Sequence, residues 1–308
     1  MKKALRNFCP QKTLRIYSDI KFWVRFHFFR KGLISEEFRG LMGYDINWDN
    51  PQDLNEKINW MKLYGDTSEW PRLADKYLVR EYVKERIGEK YLTKLYGCWD
   101  NADDIDFSSL PEKFVLKTNH GAGTVMPIVD KQKLDITKAK EILKKWMKVK
   151  YGYKTIEPHY IKINRKIIAE EFLENDSACS SSLVDYKVYC FNGNPYSILV
   201  CTDREIGKHA SFSYYDPDWK GKPEVLNGKL SGSHINFPKP DCLAELLECA
   251  KALSKGHPQV RVDFYIVNNH PVFGEMTMTS NGGYDNDITH EYSLYLGSKI
   301  NLKWHTHR

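Results

Sequence analysis

The feature that most constrains the fold is a series of short β-rich runs that begins near Phe114 and continues almost to the end of the chain. The runs are KFVLKT, TVMPIVD, RKIIAEEFL, LVDYKVYCF, PYSILVCTD, RVDFYIV and PVFGEMTM. Asn192 and Gly193 are predicted to form a two-residue hairpin turn between two of them. Strands that are joined by such short turns pair antiparallel, so this part of the chain is predicted to form antiparallel sheets.

Helical patterns surround and interrupt these strands. Apolar residues recur near helical spacing from Arg72 to Ile87, and the first hundred residues are predicted to be mainly helical. Among the strands, amphipathic helices are predicted from about Thr137 to Lys148 and after Asp241, which would be the N-cap. Strands with interspersed helices and clear hairpins predict an α+β fold.

Charge and cysteine content restrict the partners. The chain has 46 Lys and Arg residues against 40 Asp and Glu, mixed through the same segments. This balance suits a polyanionic small molecule and does not indicate nucleic acid. The seven cysteines are odd in number and contain no CxxC pair, so neither a zinc site nor a disulfide framework is predicted, and a reducing cytoplasm fits best.

The N-terminal segment mixes basic and aromatic residues without an apolar run of signal-peptide or membrane-span character. Two interpretations of residues 16–29 remain open. The favoured one is an aromatic helix packed on the main body, and the other is a helix on a membrane surface. We therefore expect a cytoplasmic protein with at most peripheral contact to the inner face of a membrane through this region.

The segment RVDFYIVNNHPVFGEMTM carries the strongest indication of a chemical site. Strand alternation puts Arg261, Asp263 and Tyr265 on one face of the first strand. The register of the two strands depends on the turn between them, which could be a three-residue loop at residues 268–270. A four-residue loop would give a different register.

With the three-residue loop, Asp263 lies opposite Glu275 and Arg261 lies opposite Thr277. Two opposed carboxylates repel each other, so the pair calls for a cation. Mg²⁺ prefers such oxygen ligands and also binds phosphate oxygens. The alternative is an exposed hairpin face whose charges are solvated or paired to Arg261.

A second candidate is KFVLKTNHGAGTVMPIVD, where a strand brings Lys117 to a small polar loop. Gly121 and Gly123 would let backbone N–H groups approach phosphates, and Lys117 would add a positive charge. The lysine precedes the glycines, so this is not a Walker A loop. Considered by itself, this stretch favours an ordinary turn with a solvated lysine. His120 could contact phosphate, and turn structure explains it equally well.

Two further strands offer weaker indications. In RKIIAEEFLEND, Glu170 could receive an exocyclic amine of a heterocycle while Phe172 and Leu173 pack near the ring, or the segment is a strand end with solvated glutamates. In LVDYKVYCFNGNP, Lys187 lies among aromatic residues on one strand face. It could bind phosphate or extend along the sheet towards water.

Taken in order, these segments resemble the TupA-like branch of the ATP-grasp superfamily. The resemblance covers about Lys76 to Leu296 and rests on KTNHGAG, AEEFL, DYKVYCFNG, RVDFYIV and GEMTMTSNGGYDN. It implies a nucleotide held between two lobes with antiparallel sheets. The mainly helical region is assigned to 1–109 from its own pattern, and the resemblance implies an ATP-grasp region at 110–308, with a lid-like lobe at 110–170 and a catalytic lobe at 171–308.

The resemblance also implies roles for single residues towards ATP and Mg²⁺. Lys187 would approach the γ-phosphate and Arg261 would stabilise the transferring phosphoryl group. The nucleotide would be held by Lys117 with Lys76 as helper, the loop with His120, Gly121 and Gly123, and the hinge of Glu170, Glu171, Phe172 and Leu173, with Glu174 or Asp176 at the ribose. Mg²⁺ would be bound by Asp263 and Glu275, with Thr277 where many ATP-grasp enzymes have Asn.

The implied activity is a carboxylate–amine ligase, which forms an acyl phosphate and then an amide. Its context would be capsule or other cell-surface polysaccharide biosynthesis, with a carboxylate-bearing sugar or peptide acceptor and an amine donor. The N-terminal region departs from the strand-rich lobe common in the superfamily, so the acceptor does not follow from the resemblance. Two alternatives stay open: a glycosyltransferase of the same pathways, and a non-enzymatic protein that binds polyanions.

Overall fold

The computed structural model describes residues 20, 22–175, 177–204, 210–227 and 237–302. The chain divides into two units, Met1–Pro51 and Gln52–Arg308. In the first unit, helix α1 spans residues 22–28 and is followed by α2 at Arg30–Met42. Among the described residues, no helix combines the length and the apolar character needed to span a bilayer.

Two antiparallel sheets organise the second unit. The first has the strand order β1-β4-β2-β3 and the second the order β7-β6-β5-β8-β9. Their bounds are β1 Leu95–Trp99, β2 Phe114–Thr118, β3 Val125–Ile128, β4 Ile167–Glu171, β5 Asp185–Phe191, β6 Asn194–Thr202, β7 Ser211–Tyr215, β8 Gln259–Val267 and β9 His270–Thr277. The predicted α+β fold with antiparallel sheets is confirmed.

Eight helices of the second unit pack around these sheets in the described part of the chain. They are α3 Leu54–Tyr64, α4 Trp70–Ala74, α5 Val79–Arg86, α6 Ile136–Met147, α7 Tyr151–Lys154, α8 Pro158–Ile161, α9 Leu243–Ser254 and α10 His290–Ser298. Each sheet has its own hydrophobic core. Leu143 of α6 packs with Phe114 and Leu116 under the first sheet, and Leu246 of α9 packs with Val188 and Val262 under the second.

The helix predicted from Arg72 to Ile87 is divided in the structure. Helix α4 ends at Ala74 and α5 begins at Val79. The Asp75 carboxylate accepts backbone N–H bonds from Tyr77 (2.8 Å) and Leu78 (3.2 Å), which stabilises a turn at this point. Because of this turn, Lys76 does not lie on a regular helix face.

Local signals for the other elements were more reliable. The turn at Asn192 and Gly193 is confirmed, since both residues have positive φ and connect paired strands. The Asp135 side chain caps α6 by accepting from the N–H of Lys138. The predicted cap at Asp241 was wrong, because α9 begins one residue later with Cys242 at its N-cap position and no side-chain cap.

Candidate active site

The hairpin of β8 and β9 brings the predicted acidic pair together. Asp263 lies opposite Glu275, and Arg261 lies opposite Thr277. The loop is shorter than the three residues from which this register was worked out, because Val267 pairs with His270 and the loop has only two residues, both with positive φ. This geometry is typical of a tight hairpin turn.

A β-bulge restores the register that the shorter loop would have shifted. Asp263 pairs with Glu275 while the next residue, Phe264, pairs with Phe273, so Gly274 is the additional residue. A Cβ atom on Gly274 would lie 3.0 Å from the carbonyl oxygen of Asp263. Glycine therefore suits the bulge, and the bulge places both carboxylates on the same face.

Asp263 is the centre of a buried charge cluster. Its carboxylate accepts from Arg261 Nε (2.7 Å), from Arg261 Nη2 (2.8 Å) and from Lys187 Nζ (2.6 Å). Burial by itself raises the pKa of a carboxyl group, but Arg261 and Lys187 outweigh it and hold the pKa of Asp263 at about 2. Asp263 is therefore ionised at neutral pH.

Glu275 is the more accessible carboxylate of the pair. Its Oε1 accepts from Thr277 Oγ1 (3.2 Å) and from Arg261 Nη2 (3.4 Å), and its Oε2 lies 3.7 Å from Lys76 Nζ. The side chain is 36% exposed, against 3% for Asp263. Burial lowers the pKa of Lys76 while Glu275 opposes that shift.

The oxygen donors of Asp263, Glu275 and Thr277 suit Mg²⁺. Within the described part of the chain, no group of three or more His, Cys, Asp or Glu residues forms a metal cage. Mg²⁺ is usually held by one or two carboxylates together with substrate phosphates, so an open pair of this kind fits the ion. Of the two carboxylates, Glu275 is the one that such an ion would reach more readily, because Asp263 is already held by two cationic side chains.

A second charge cluster lies on the first sheet. Lys117 on β2 forms an ion pair with the Glu170 carboxylate on β4, and Arg80 Nη1 approaches the same carboxylate at 3.2 Å. Arg80 also donates to the carbonyl oxygen of Thr93 at 2.6 Å. Two cations thus share one buried carboxylate, which holds Lys117 at the cleft.

The loop after β2 is anchored by a network that the sequence patterns did not reveal. Asn119 donates to Asp75 Oδ2 (2.8 Å), and its carbonyl oxygen accepts from the backbone N–H of Lys76 (3.0 Å). Lys76 Nζ in turn donates to the Gly121 carbonyl oxygen at 2.6 Å. The turn at Asp75 therefore positions Lys76 against the glycine loop, and Gly123 lines the cleft beyond it.

His120 does not lie at the cleft. Its ring is buried, and Nε2 lies 3.2 Å from the Val149 carbonyl oxygen. Burial lowers the pKa of His120. The structure therefore leaves His120 out of the cleft lining, although it follows the same strand as Lys117.

Between the two sheets lies a cleft of about 780 Å³ that collects most of the predicted site residues. Its lining includes Phe172 and Leu173 of the hinge segment after β4, and Asp263 and Glu275 of the acidic hairpin. The predicted site residues that line it are Lys76, Lys117, Gly123, Glu170, Glu171, Phe172, Leu173, Glu174, Lys187, Asp263 and Glu275. Gly121, Arg261 and Thr277 lie behind this lining, and Asp176 is outside the described residues.

Sequence reasoning missed a polar face of α3 that holds the loop after β9. Lys62 donates to the Gly282 carbonyl oxygen, and Asn59 donates to that of Gly283 at 2.7 Å. Asn55 donates to the Asp285 carbonyl oxygen at 2.9 Å. These three helix residues have spacing i, i+4 and i+7, so the polar stripe was visible in the sequence, but its partner was more than 200 residues away.

The cleft between two antiparallel sheets, lined by lysines and a carboxylate pair, is the arrangement of an ATP-grasp enzyme. The family model described as TupA-like ATP-grasp matches residues 56–301. The chain therefore belongs to the TupA-like ATP-grasp family. No curated protein sequence matches it significantly.

Several solved structures are similar to the chain. D-alanine–D-alanine ligase from Bacillus anthracis, complexed with ATP, is 13% identical with a TM-score of 0.42, and the match covers 74% of this chain and 60% of that one. The Helicobacter pylori D-alanine–D-alanine ligase is 13% identical with a TM-score of 0.43, covering 82% and 68%. N5-carboxyaminoimidazole ribonucleotide synthetase from Thermus thermophilus is 14% identical with a TM-score of 0.39, covering 73% and 52%.

The chain thus spans about 60% of the length of the first of these structures. Similarities of this size identify neither the substrate nor the reaction of the chain. The family assignment rests on the family model, together with the two antiparallel sheets and the cleft between them.

Proposed function

We propose that the protein uses ATP to activate a carboxylate and then joins it to an amine as an amide. The observation that carries this proposal is the convergence of Lys76, Lys117 and Lys187 with Asp263 and Glu275 around one cleft. Lysines at this density suit the negative charge of a triphosphate, and the carboxylate pair suits its Mg²⁺. The family membership supports the same chemistry.

In the proposed reaction, an oxygen of the substrate carboxylate attacks the γ-phosphorus. The bond from that phosphorus to the bridging oxygen breaks, and ADP leaves with the electron pair. The amine then attacks the carbonyl carbon of the acyl phosphate, phosphate leaves, and the amine nitrogen loses a proton. Mg²⁺ would neutralise phosphate charge, while Lys187 and Lys117 would hold the phosphates in position.

The two lobes would then have different roles in the reaction. We propose that residues 110–170 form a lid-like lobe and residues 171–308 a catalytic lobe, as the resemblance to the family implies. Glu170 and the segment Glu171 to Leu173 would receive adenine at the hinge end of the cleft. Arg261 would act by holding Asp263 and Glu275, since its guanidinium is buried among them.

The substrate class we propose is a sugar acid or peptide carboxylate of a capsule or other cell-surface polymer, with an amino acid or similar amine as the second substrate. This context rests on the resemblance to the TupA-like branch. A glycosyltransferase or a non-enzymatic polyanion-binding protein does not fit membership in this family.

Trapping the acyl phosphate tests the proposal without knowledge of the amine. Purified protein is incubated with ATP, Mg²⁺, hydroxylamine and a panel of uronic acids and peptides, and both ADP and hydroxamate are measured. We expect both products from at least one carboxylate. Lys187→Gln should abolish them, whereas Lys220→Gln, at an exposed residue outside the cleft lining, should not. ADP release without hydroxamate for every carboxylate would contradict the ligase assignment.

We also propose peripheral contact of the N-terminal region with an anionic membrane surface. On α1, Trp23 and Phe28 are 49% and 70% exposed, and Ile20 and Val24 are exposed at neighbouring helical positions. Residues 1–40 contain ten Lys and Arg against three acidic residues. An exposed apolar helix face in a basic segment is complementary to anionic lipid headgroups.

Vesicle sedimentation tests this contact. Phosphatidylglycerol vesicles should retain the protein, and phosphatidylcholine vesicles should not. The double substitution Trp23→Ala/Phe28→Ala should remove binding, whereas Leu78→Ala, at an exposed apolar residue of the second unit, should leave it unchanged. Loss of self-association in the double variant, with no vesicle binding by the original chain, would show that a second copy covers this face instead.

A further inference from the structure

Arg204 is a cationic residue of the cleft that no motif singled out. It follows strand β6, lines the cleft with Lys187 and Asp263, and has a 53% exposed side chain. Its Nη2 lies 2.7 Å from Asp185 Oδ2 and 3.4 Å from Cys201 Sγ. Among the described residues, Nε and Nη1 have no protein partner, so several N–H groups of this guanidinium are available to a ligand.

Asp185 connects Arg204 to the charge cluster of the hairpin. Its Oδ1 lies 3.7 Å from Lys187 Nζ, and Lys187 donates to Asp263 at 2.6 Å. Asp185 is buried on β5, opposite Cys201 of β6. One fixed carboxylate therefore holds Arg204 and Lys187 close together, and both cations face the same cleft.

Two other arginines, Arg80 in the cleft lining and Arg261 behind it, already have carboxylate partners. Arg261 is buried and donates to Asp263, Glu275 and Thr277. Arg80 donates to the carboxylate of the first sheet and to a backbone carbonyl oxygen. Of these three arginines, Arg204 has the most exposed side chain, at 53% against 16% for Arg80 and 10% for Arg261, and it can donate to a phosphate while it keeps its contact with Asp185.

We propose that Arg204 binds the terminal phosphate of the nucleotide beside Lys187, with Asp185 as the residue that positions it. This inference rests on the proposed function, because it requires ATP in the cleft. Arg204 keeps its contact with Asp185 through Nη2 while its other N–H groups donate to γ-phosphate oxygens. Guanidinium groups suit this task because several donors lie in one plane.

The assignment gives Arg204 a catalytic role in the first step. As the γ-phosphoryl group passes from ADP to the substrate carboxylate, its three equatorial oxygens keep their negative charge while one phosphorus–oxygen bond forms and another breaks. Arg204 contacts those oxygens throughout the transfer. Neither bond to phosphorus involves Arg204, which exchanges no proton in the step.

Calorimetric titration distinguishes the contribution of the terminal phosphate to binding from that of the rest of the nucleotide. The probes are ADP and the non-hydrolysable β,γ-imido analogue of ATP, each with Mg²⁺, titrated into the full chain. In Arg204→Gln, affinity for the analogue should fall about tenfold, or about 1.4 kcal/mol, while affinity for ADP changes less than twofold. Arg204→Lys keeps the charge but has fewer donors, so about threefold loss is expected.

Lys220→Gln removes one positive charge from an exposed position outside the cleft lining and serves as the matched control, with both affinities unchanged. Equal losses for ADP and the analogue, or an unchanged ratio in Arg204→Gln, would overturn the assignment. Circular dichroism of each variant checks that it is folded, and Arg204→Lys keeps the test valid if Arg204→Gln unfolds. If the original chain binds neither nucleotide, the proposed function fails and the Arg204 assignment with it; binding of both leaves only Arg204 in question.

Discussion

The carboxylates of Asp263 and Glu275 lie opposite each other, but removing one or the other should lower the free energy of unfolding by very different amounts. Asp263→Asn removes the negative charge that neutralises Arg261 and Lys187, which lie within 2.6 to 2.8 Å of its oxygens. Glu275→Gln removes a carboxylate whose cationic partners lie at 3.4 and 3.7 Å. The two substitutions have the same chemistry and differ in burial and contact distance.

The free-energy cost follows from that difference. Breaking a buried ion pair leaves uncompensated charge and typically costs about 3 to 5 kcal/mol. An amide oxygen in the place of Oδ2 can still accept two of the three hydrogen bonds, so we expect Asp263→Asn to lower the free energy of unfolding by about 3 kcal/mol, at the lower end of that range. Exposed ion pairs contribute at most about 1 kcal/mol, which bounds the cost of Glu275→Gln.

Urea unfolding at pH 7, followed by tryptophan fluorescence and by circular dichroism, measures both variants against the original chain. Coincident transitions from the two probes are needed before the midpoints are compared. A cost for Glu275→Gln equal to or larger than that for Asp263→Asn would refute the reasoning, because it would mean that burial does not set the strength of these contacts.

Three further predictions follow from buried groups. Gly121 has φ +71°, and a Cβ there would lie 2.5 Å from the Tyr151 ring, whereas Gly123 has φ +76° and open space around it. Gly121→Ala should therefore lower the free energy of unfolding in urea by more than about 2 kcal/mol, and Gly123→Ala by about 1 kcal/mol. Equal costs would refute the steric argument. Burial lowers the pKa of His159 to about 3, so the unfolded chain binds the proton more readily than the folded chain. The stability that is present above about pH 6.5 is therefore lost as the pH falls towards 3, and thermal unfolding should show about 2 kcal/mol lost between pH 7 and 5. A His159→Phe variant with the same loss would contradict this. Asn59→Ala leaves a buried carbonyl oxygen of the loop after β9 without its donor and should cost about 2 kcal/mol, with faster amide exchange in that loop; unchanged exchange would show that the loop is held by other contacts.

Much of the fold could be predicted because its signals are local. Alternating side chains identified the strands, and the pair Asn192 and Gly193 identified a hairpin turn. The pairing of Asp263 with Glu275 was also predicted, although from the wrong loop length. A two-residue turn and a bulge at Gly274 together give the same register as a three-residue loop without a bulge, and composition alone does not separate the two.

The order of the short motifs along the chain was enough to identify the family. Each motif is compatible with an ordinary turn or strand end. It is not expected by chance, however, that a lysine strand, a glycine loop, a hinge and an acidic hairpin follow one another in this order. Roles assigned to single residues, such as His120 and Thr277, stay predictions, as do the lobe boundaries and the polysaccharide context.

The tertiary structure alone decided which residues far apart in the chain contact each other. Asp75 meets Asn119, Lys117 meets Glu170, and Asn59 holds a carbonyl oxygen 224 residues away. Hydrophobic periodicity fixes which face of an element is buried, but not which polar group lies across from it. Buried polar groups must find partners wherever the topology brings them, and for this reason Arg204 could be recognised as a residue of the cleft only once the sheets were assembled.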